Sequence, residues 1–401
     1  MNTPKGERLN ICFIGRINVG KSSLINRIVG QQVAIVSEQP GTTTDPVIKR
    51  FELPPLGPVT FFDTAGYDDH SPLGVEREKA TLKTMQKSDL VLLLIDERGI
   101  TDYDHFYLQK LNALNIPYLI VHSKSDLDKK INDQTQEYLD NRQLSIFWTS
   151  SVDNNLGPLL NQMISILAPK LKEKKNILHN LIQKNHHVVL VIRIDQSAPK
   201  DRIILPQMQV LRAILDCQAK ATCCLDTELN ETLHDFVHPP ELVITDSQIL
   251  NEVNGIVPLH IKLTTFSILF ARYRGELDVF LEGLRKLKTL KPNDRLLIAE
   301  ACSHQSQCDD IGKVKIPQWL KAYLGFHPDI TNVSGDDFPD NLEEFKLVIH
   351  CGGCMLTRAG VLRRMKECQS RGVAITNYGL VISKINGTLE RVLLGLNSGP
   401  Y

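Results

Sequence analysis

One string near the amino terminus constrains this chain more than any other: Gly15-Arg16-Ile17-Asn18-Val19-Gly20-Lys21-Ser22, directly behind the apolar run Leu9 to Ile14. A strand that feeds a glycine-rich turn and then a helix is a cradle for phosphate. The N–H groups of the turn curl around an anion, and the helix adds its positive end. Gly15, Asn18, Val19 and Gly20 would line that cradle, and Lys21 would reach the β- and γ-phosphates. Ser22 would place its hydroxyl on Mg2+, and Ser23 would follow it into a helix predicted over 22–29.

A lone match to this pattern can arise by chance, so the spacing of further signals decides. Val59 to Phe62 reads as a strand ending in Asp63-Thr64-Ala65-Gly66. There Asp63 would hold Mg2+ through water, and the Gly66 N–H would meet the γ-phosphate. Between the two motifs lies the polar segment Pro40 to Pro46, in the place of a switch threonine that closes on Mg2+. Thr43 is the choice, with Thr42 its near rival. Lys21, Thr43, Asp63 and Gly66 are therefore the expected catalytic set.

Strands over 90–96 and 118–122 follow, the second ending in Ser123-Lys124-Ser125-Asp126. The Asp126 carboxylate can accept from guanine N1–H and the exocyclic amine, which adenine cannot satisfy, so GTP is the expected nucleotide. Lys124 shares that loop, and Ser151 sits where a last loop normally meets the base.

Together these motifs resemble the translation-factor-related GTPases, the group that includes the ribosome-assembly and tRNA-modification GTPases. The resemblance implies hydrolysis of GTP to GDP and phosphate. Asn18 with Gly41-Thr42-Thr43 further resembles the potassium-dependent subset, which implies K+ in the place of an arginine finger with Asn18 as one ligand. One position departs from the pattern, and another bears on rate. Ser123 replaces the usual Asn, which predicts a weaker fastening of the base loop to the phosphate loop. Tyr67 stands where Ras-type enzymes carry a water-orienting glutamine, which predicts slow intrinsic turnover.

A chain of 401 residues exceeds a single ordinary core and predicts several domains. Its 46 basic and 46 acidic residues cancel, which argues against nucleic acid or an anionic membrane as partner. No apolar segment approaches a membrane span and no leader is evident, so a cytoplasmic location is expected. In that compartment the nine cysteines are expected to be free thiols.

Beyond a Lys-rich stretch read as helical, 171–184, the chain restarts with a β-branched strand over 187–194. Helices over 207–220 and 246–254 alternate with strands over 222–226, 242–245 and 259–263, giving a small α/β unit. It holds no dense set of catalytic residue types, which suits self-association. Cys217, Cys223 and Cys224 lie in apolar runs and read as core. Helices over 266–274 and 276–290 lead into a third unit with strands over 295–301, 330–333, 346–350 and 373–377. That alternation reads as a doubly wound parallel sheet, whose ligands gather at the carboxyl ends of the strands.

At two such ends stand soft metal ligands, Cys302-Ser303-His304 and His350-Cys351-Gly352-Gly353-Cys354. The glycine pair would let both thiols face one centre, and Cys354 would open a helix whose dipole lowers its pKa. Cys308 falls outside the pattern and reads as a bystander. Three thiolates and two imidazoles could converge on a metal, either structural zinc or a [4Fe–4S] cluster. Cys351 and Cys354 alone could instead form a redox pair.

A GTPase of this type followed by C-x-H and then H-C-x-x-C resembles the HydF family of [FeFe]-hydrogenase maturation GTPases along essentially the whole chain. That resemblance implies an α/β protein of three domains: GTP-binding (1–170), dimerisation (171–265) and cluster-binding (266–401). It implies a [4Fe–4S] cluster on Cys302, Cys351 and Cys354, with His304 and His350 as candidates for the fourth position. It also implies a homodimer or tetramer that takes a transient di-iron precursor from radical-SAM maturases and delivers it to apo-[FeFe]-hydrogenase. The rival reading is a ribosome-assembly or RNA-modification GTPase with a structural zinc domain.

Overall fold

The computed structural model describes residues 5–32, 35–39, 45–67, 73–126, 130–150, 155–172, 176–194, 203–301, 311–335 and 338–396. Thr42, Thr43, Ser151, Cys302, His304 and Cys308 lie outside the described residues. The chain divides into two compact units, Met1–Lys174 and Lys175–Tyr401.

In the first unit, β1 (Leu9–Gly15) leads through the phosphate loop into α1 (Lys21–Gln32). Then come β2 (Ile35–Gln39), β3 (Val47–Leu53), β4 (Gly57–Asp63), α2 (Gly74–Gln86), β5 (Leu90–Ile95), α3 (Asp102–Ala113), β6 (Tyr118–His122), α4 (Asp133–Asn141), β7 (Ile146–Trp148) and α5 (Gly157–Lys172). The sheet order is β2-β3-β4-β1-β5-β6-β7, antiparallel at β2-β3 and β3-β4 and parallel from β4 to β7. Every residue of β5 is buried, as a central parallel strand covered on both faces requires. Truncating Leu92 there would cost about 2–5 kcal/mol. Because β1, β4, β5 and β6 are parallel, the motifs that follow them gather at one edge of the sheet.

The second unit carries two four-stranded parallel sheets. The first is built from β8 (His187–Val191), α6 (Leu205–Asp216), β9 (Lys220–Cys224), α7 (Leu229–His234), β10 (Leu242–Thr245), α8 (Leu250–Ile256) and β11 (Lys262–Thr265). Helices α9 (Phe266–Arg274) and α10 (Leu277–Arg285) connect it to the second. That one contains β12 (Arg295–Glu300), α11 (Ile316–Leu324), β13 (Asp329–Ser334), β14 (Phe345–His350), α12 (Arg358–Ser370) and β15 (Ala374–Asn377), followed by α13 (Tyr378–Ile385) and α14 (Leu389–Leu394). The strand orders are β11-β10-β8-β9 and β13-β12-β14-β15, the same topology twice. In both, the last strand ends on a residue that caps the next helix. Thr265 accepts from Ile268 N at 3.3 Å and Asn377 from Gly379 N at 2.8 Å. One hydrophobic core runs through both sheets.

Several sequence expectations need correction. The Lys-rich stretch is not a helix to 184, because α5 ends at Lys172 and residues 177–181 form turns. Asn176 holds those turns: its side-chain oxygen accepts from Leu178 N at 2.8 Å, and its amide donates to Ala213 O at 3.0 Å. That leaves Leu178 and Leu181 buried. Cys224 is core and Cys217 half-buried, but Cys223 is exposed. Successive residues of the edge strand β9 face opposite ways, so an apolar run there does not bury both thiols.

Candidate functional site

The nucleotide site is assembled from three strand ends. Ser22, at the first turn of α1, donates its hydroxyl to Asp63 Oδ2 at 2.5 Å, joining the two expected Mg2+-site residues. Burial raises the Asp63 carboxyl above the usual carboxylate range, opposed by the Ser22 hydrogen bond and by the Lys21 and Lys49 ammonium groups. A divalent ion would relieve that cost. Lys21 is buried and donates to the Gly15 and Arg16 carbonyls, both at 2.8 Å, which holds its ammonium inside the loop. Asn18 is exposed at the tip with φ +59, while Ser22 and Ser23 face solvent. Gly66 packs so tightly on the phosphate loop that a Cβ there would lie 2.4 Å from Ile17 N, so the glycine is a steric requirement.

Ser123 supplies one polar arm to the fastening of the base loop. Its hydroxyl donates to the Val19 carbonyl at 2.5 Å, with Ile95 O a further 3.1 Å neighbour, so a single hydroxyl fastens the base loop to the phosphate loop. Lys124 adopts φ +56, and Asp126 is exposed beyond it. From the other side Arg27 of α1 donates to Ser150 O and holds the loop that precedes Ser151.

Residue-type patterns missed a buried network behind this site. Arg16, a variable position of the loop motif, pairs with Asp96 at 2.8 Å and donates to Gly99 O at 3.1 Å. Asp104 lies 3.9 Å from the same guanidinium and accepts a hydrogen bond from the Tyr67 hydroxyl. Tyr67 is buried, its ring 4.4 Å from that of Tyr107. Burial raises the Tyr67 hydroxyl pKa, with Asp104 adding to the effect, so it stays a neutral donor. The residue after Asp63-Thr64-Ala65-Gly66 is thus anchored to α3. The sign in the sequence was the apolar-aromatic character of Tyr67 itself, which favours burial over work on water.

The second candidate site lies at the carboxyl ends of β12 and β14, where the strand order of their sheet reverses. Such a reversal opens a crevice for a ligand. Ala299 is in register with His350, and Ala301 donates its backbone N–H to Cys351 Sγ at 3.2 Å. A second N–H, from Gly353, reaches that sulfur at 3.4 Å. Gly353 takes φ +64, which bends the chain between Cys351 and Cys354.

Cys351 and Cys354 are both partly exposed. Burial pushes the Cys351 thiol up, opposed by its two N–H bonds and by Arg364. It pushes Cys354 up to about 11, opposed by Arg274. The expectation that a helix dipole lowers the Cys354 pKa is corrected, because α12 opens only at Arg358, capped by Thr357. Among the described residues no three Cys, His, Asp or Glu side chains gather to hold a metal.

His350 is buried and fully engaged. Arg364 lies 2.9 Å from its Nε2, and a guanidinium can only donate, so the proton sits on Nδ1 and is donated to Cys351 O at 2.6 Å. Burial, then Arg364, lowers its pKa to about 3.

Comparison with known proteins gives three family matches along the chain. Residues 10–124 match the 50S ribosome-binding GTPase family, 177–275 the hydrogen maturase F dimerization domain, and 278–394 the hydrogen maturase F tetramerization domain. Curated relatives match part of the chain. The tRNA modification GTPase MnmE of Prochlorococcus marinus is 38% identical over 165 residues, covering 39% of this chain and 34% of that protein. GTPase Der of Clostridium botulinum is 37% identical over 136 residues, covering 33% and 30%. The chain therefore spans about a third of the length of these relatives. Among solved structures, Era of Aquifex aeolicus is 20% identical and covers 54% of this chain and 92% of that one, at a TM-score of 0.32, too low to carry an argument.

Proposed function

The chain belongs to the hydrogen maturase F family, and on that premise we propose that it is a GTP-switched scaffold that carries an iron–sulfur centre in [FeFe]-hydrogenase maturation. GTP hydrolysis with Mg2+ is the activity of its first unit, and the other two matched domains are oligomerisation modules. The finer reading places a [4Fe–4S] cluster on Cys302, Cys351 and Cys354, and a homodimer or tetramer that passes a di-iron precursor from radical-SAM maturases to apo-hydrogenase.

The observation that carries the reading is the N–H of Ala301 on the sulfur of Cys351. It puts the residue before Cys302 against the second cysteine, at the point where parallel-sheet proteins hold ligands. Amide donors on a sulfur favour the thiolate that a metal requires. When bound, the cluster supplies iron with one position not taken by cysteine, which suits exchange of cargo. With both nitrogens of His350 engaged, His304 is the candidate left for that position.

In the first unit, Lys21, Gly66 and Thr43 sense the γ-phosphate, Ser22 and Asp63 hold Mg2+, and Lys124, Asp126 and Ser151 read guanine. K+ on Asn18 takes the part of a positive finger, since Tyr67 is anchored elsewhere. Hydrolysis is slow and acts as a switch on the loops around Thr43 and Gly66. No helix among the described residues is long and apolar enough to cross a membrane, and a cytoplasmic site of action goes with the reducing chemistry of free thiols. Iron, sulfide and zinc content of the anaerobically purified chain and of Cys302→Ala tests the reading. Iron and sulfide lost in the variant support it, and one zinc with no iron moves the protein to the RNA-linked GTPases.

A further inference from the structure

Two arginines that no motif contains are fully buried on either side of the Cys351–Cys354 loop. Arg274, the last residue of α9, donates to the Leu356 carbonyl and lies 3.3 Å from Gly353 O. Arg364, in α12, donates to His350 Nε2 and to Gly335 O. Each side chain is among the largest fully buried ones of the chain. The fastening is reciprocal, since Arg358 just beyond the loop donates back to Tyr273 O at 2.8 Å and Gly275 O at 3.3 Å, the carbonyls that flank Arg274. At the other end of α9, Ser267 donates to Asn377 Oδ1 at 3.1 Å, and Asn377 in turn donates to Cys351 O at 3.3 Å. Helix α9 thus meets the loop at both of its ends.

We propose that Arg274 and Arg364 are positioning residues of the cluster site: permanently charged groups that fix the backbone of the cysteine loop and offset the negative charge of an iron–sulfur cluster held there. A cluster core of charge 2+ on three thiolates is an anion, and reduction adds one more negative charge. Burying it beside protein dipoles alone is costly, whereas guanidinium groups stay charged at any relevant pH. Their fields favour the reduced form and so raise the reduction potential. Each already favours the thiolate form of one cysteine of the loop, Arg364 that of Cys351 and Arg274 that of Cys354, against the burial that pushes both thiols up. Because α9 closes the segment matched to the dimerization domain, the loop that holds the thiols is built on that domain's last helix.

The proposal rests on the scaffold reading, and its test separates the two. Full-length wild type, Arg274→Met, Arg364→Met, Arg274→Lys and Arg364→Lys are reconstituted anaerobically with iron and sulfide. Each is assayed for both, then titrated with dithionite under electron paramagnetic resonance, with cooperative thermal unfolding and the oligomeric state of the full chain as the folding control. The Met variants are expected to titrate at a more negative potential than wild type. The Lys variants keep the charge but not the planar fork, so they should hold the wild-type potential with altered g-values or lower iron occupancy. Folded, iron-loaded Met variants at the wild-type potential overturn the proposal. If the Met variants do not load, Lys variants with wild-type spectrum and occupancy overturn it equally. A wild type that takes up no iron removes the scaffold reading itself, and this inference with it.

Discussion

The Ser123 hydroxyl and the Val19 carbonyl are 2.5 Å apart, which ties the loop that reads the base to the loop that holds the phosphates. Ser123→Ala removes that tie and leaves the Val19 carbonyl without this donor. The expected cost is about 1 kcal/mol, roughly a fivefold rise in the Kd for GTP, while Ser123→Asn changes it little. Titration of a fluorescent GTP analogue checks both. Equal affinity in wild type and Ser123→Ala would show that the bond does not support binding.

Lys21→Ala and Ser22→Ala are expected to lower GTP turnover by roughly 100-fold or more, the scale of losing one preorganised group at a developing charge. Iron content of the same preparations should stay at the wild-type value, since the thiol loop belongs to the other compact unit. Iron lost together with turnover would contradict independent sites.

Tyr67→Phe deletes the hydroxyl that donates to Asp104 and keeps the ring against Tyr107. The chain should lose about 1 kcal/mol of stability in chemical denaturation. Turnover should stay within about threefold of wild type, because small effects mark a group that does not touch the reacting atoms. A loss on the scale of Lys21→Ala would mean that this hydroxyl leaves Asp104 and works on water.

Replacing K+ by Na+ is expected to slow GTP hydrolysis, and Asn18→Ala should remove the difference between the two salts. The exposed Asn18 side chain at the loop tip is the reason. Equal rates in both salts for wild type would assign the positive charge at the transition state to another group.

Much of this architecture was legible in the residues, for identifiable reasons. The strand 242–245 and the helix 266–274 were placed to the residue, because a buried parallel strand and a capped apolar helix each leave a local signature. Gly15 to Ser22 and Asp63 to Gly66 were legible because phosphate and Mg2+ dictate both residue type and spacing. What was not legible is long-range. Nothing near Arg274 in sequence says that it will meet Leu356, and nothing near Arg16 points to Asp96. Asn176 bends the chain through a bond to Ala213, so the Lys-rich run around it looked helical in isolation. The pKa of Cys354 follows from its burial in the folded chain, and α12 starts only after Thr357, neither of which is local to the Cys-x-x-Cys string.

The most direct test of the central claim is an anaerobic purification assayed for iron, sulfide and zinc, followed by an electron paramagnetic resonance spectrum of the dithionite-reduced protein. The account predicts about four irons and four sulfides per chain with a reduced-cluster signal. One zinc and no iron per chain would contradict it.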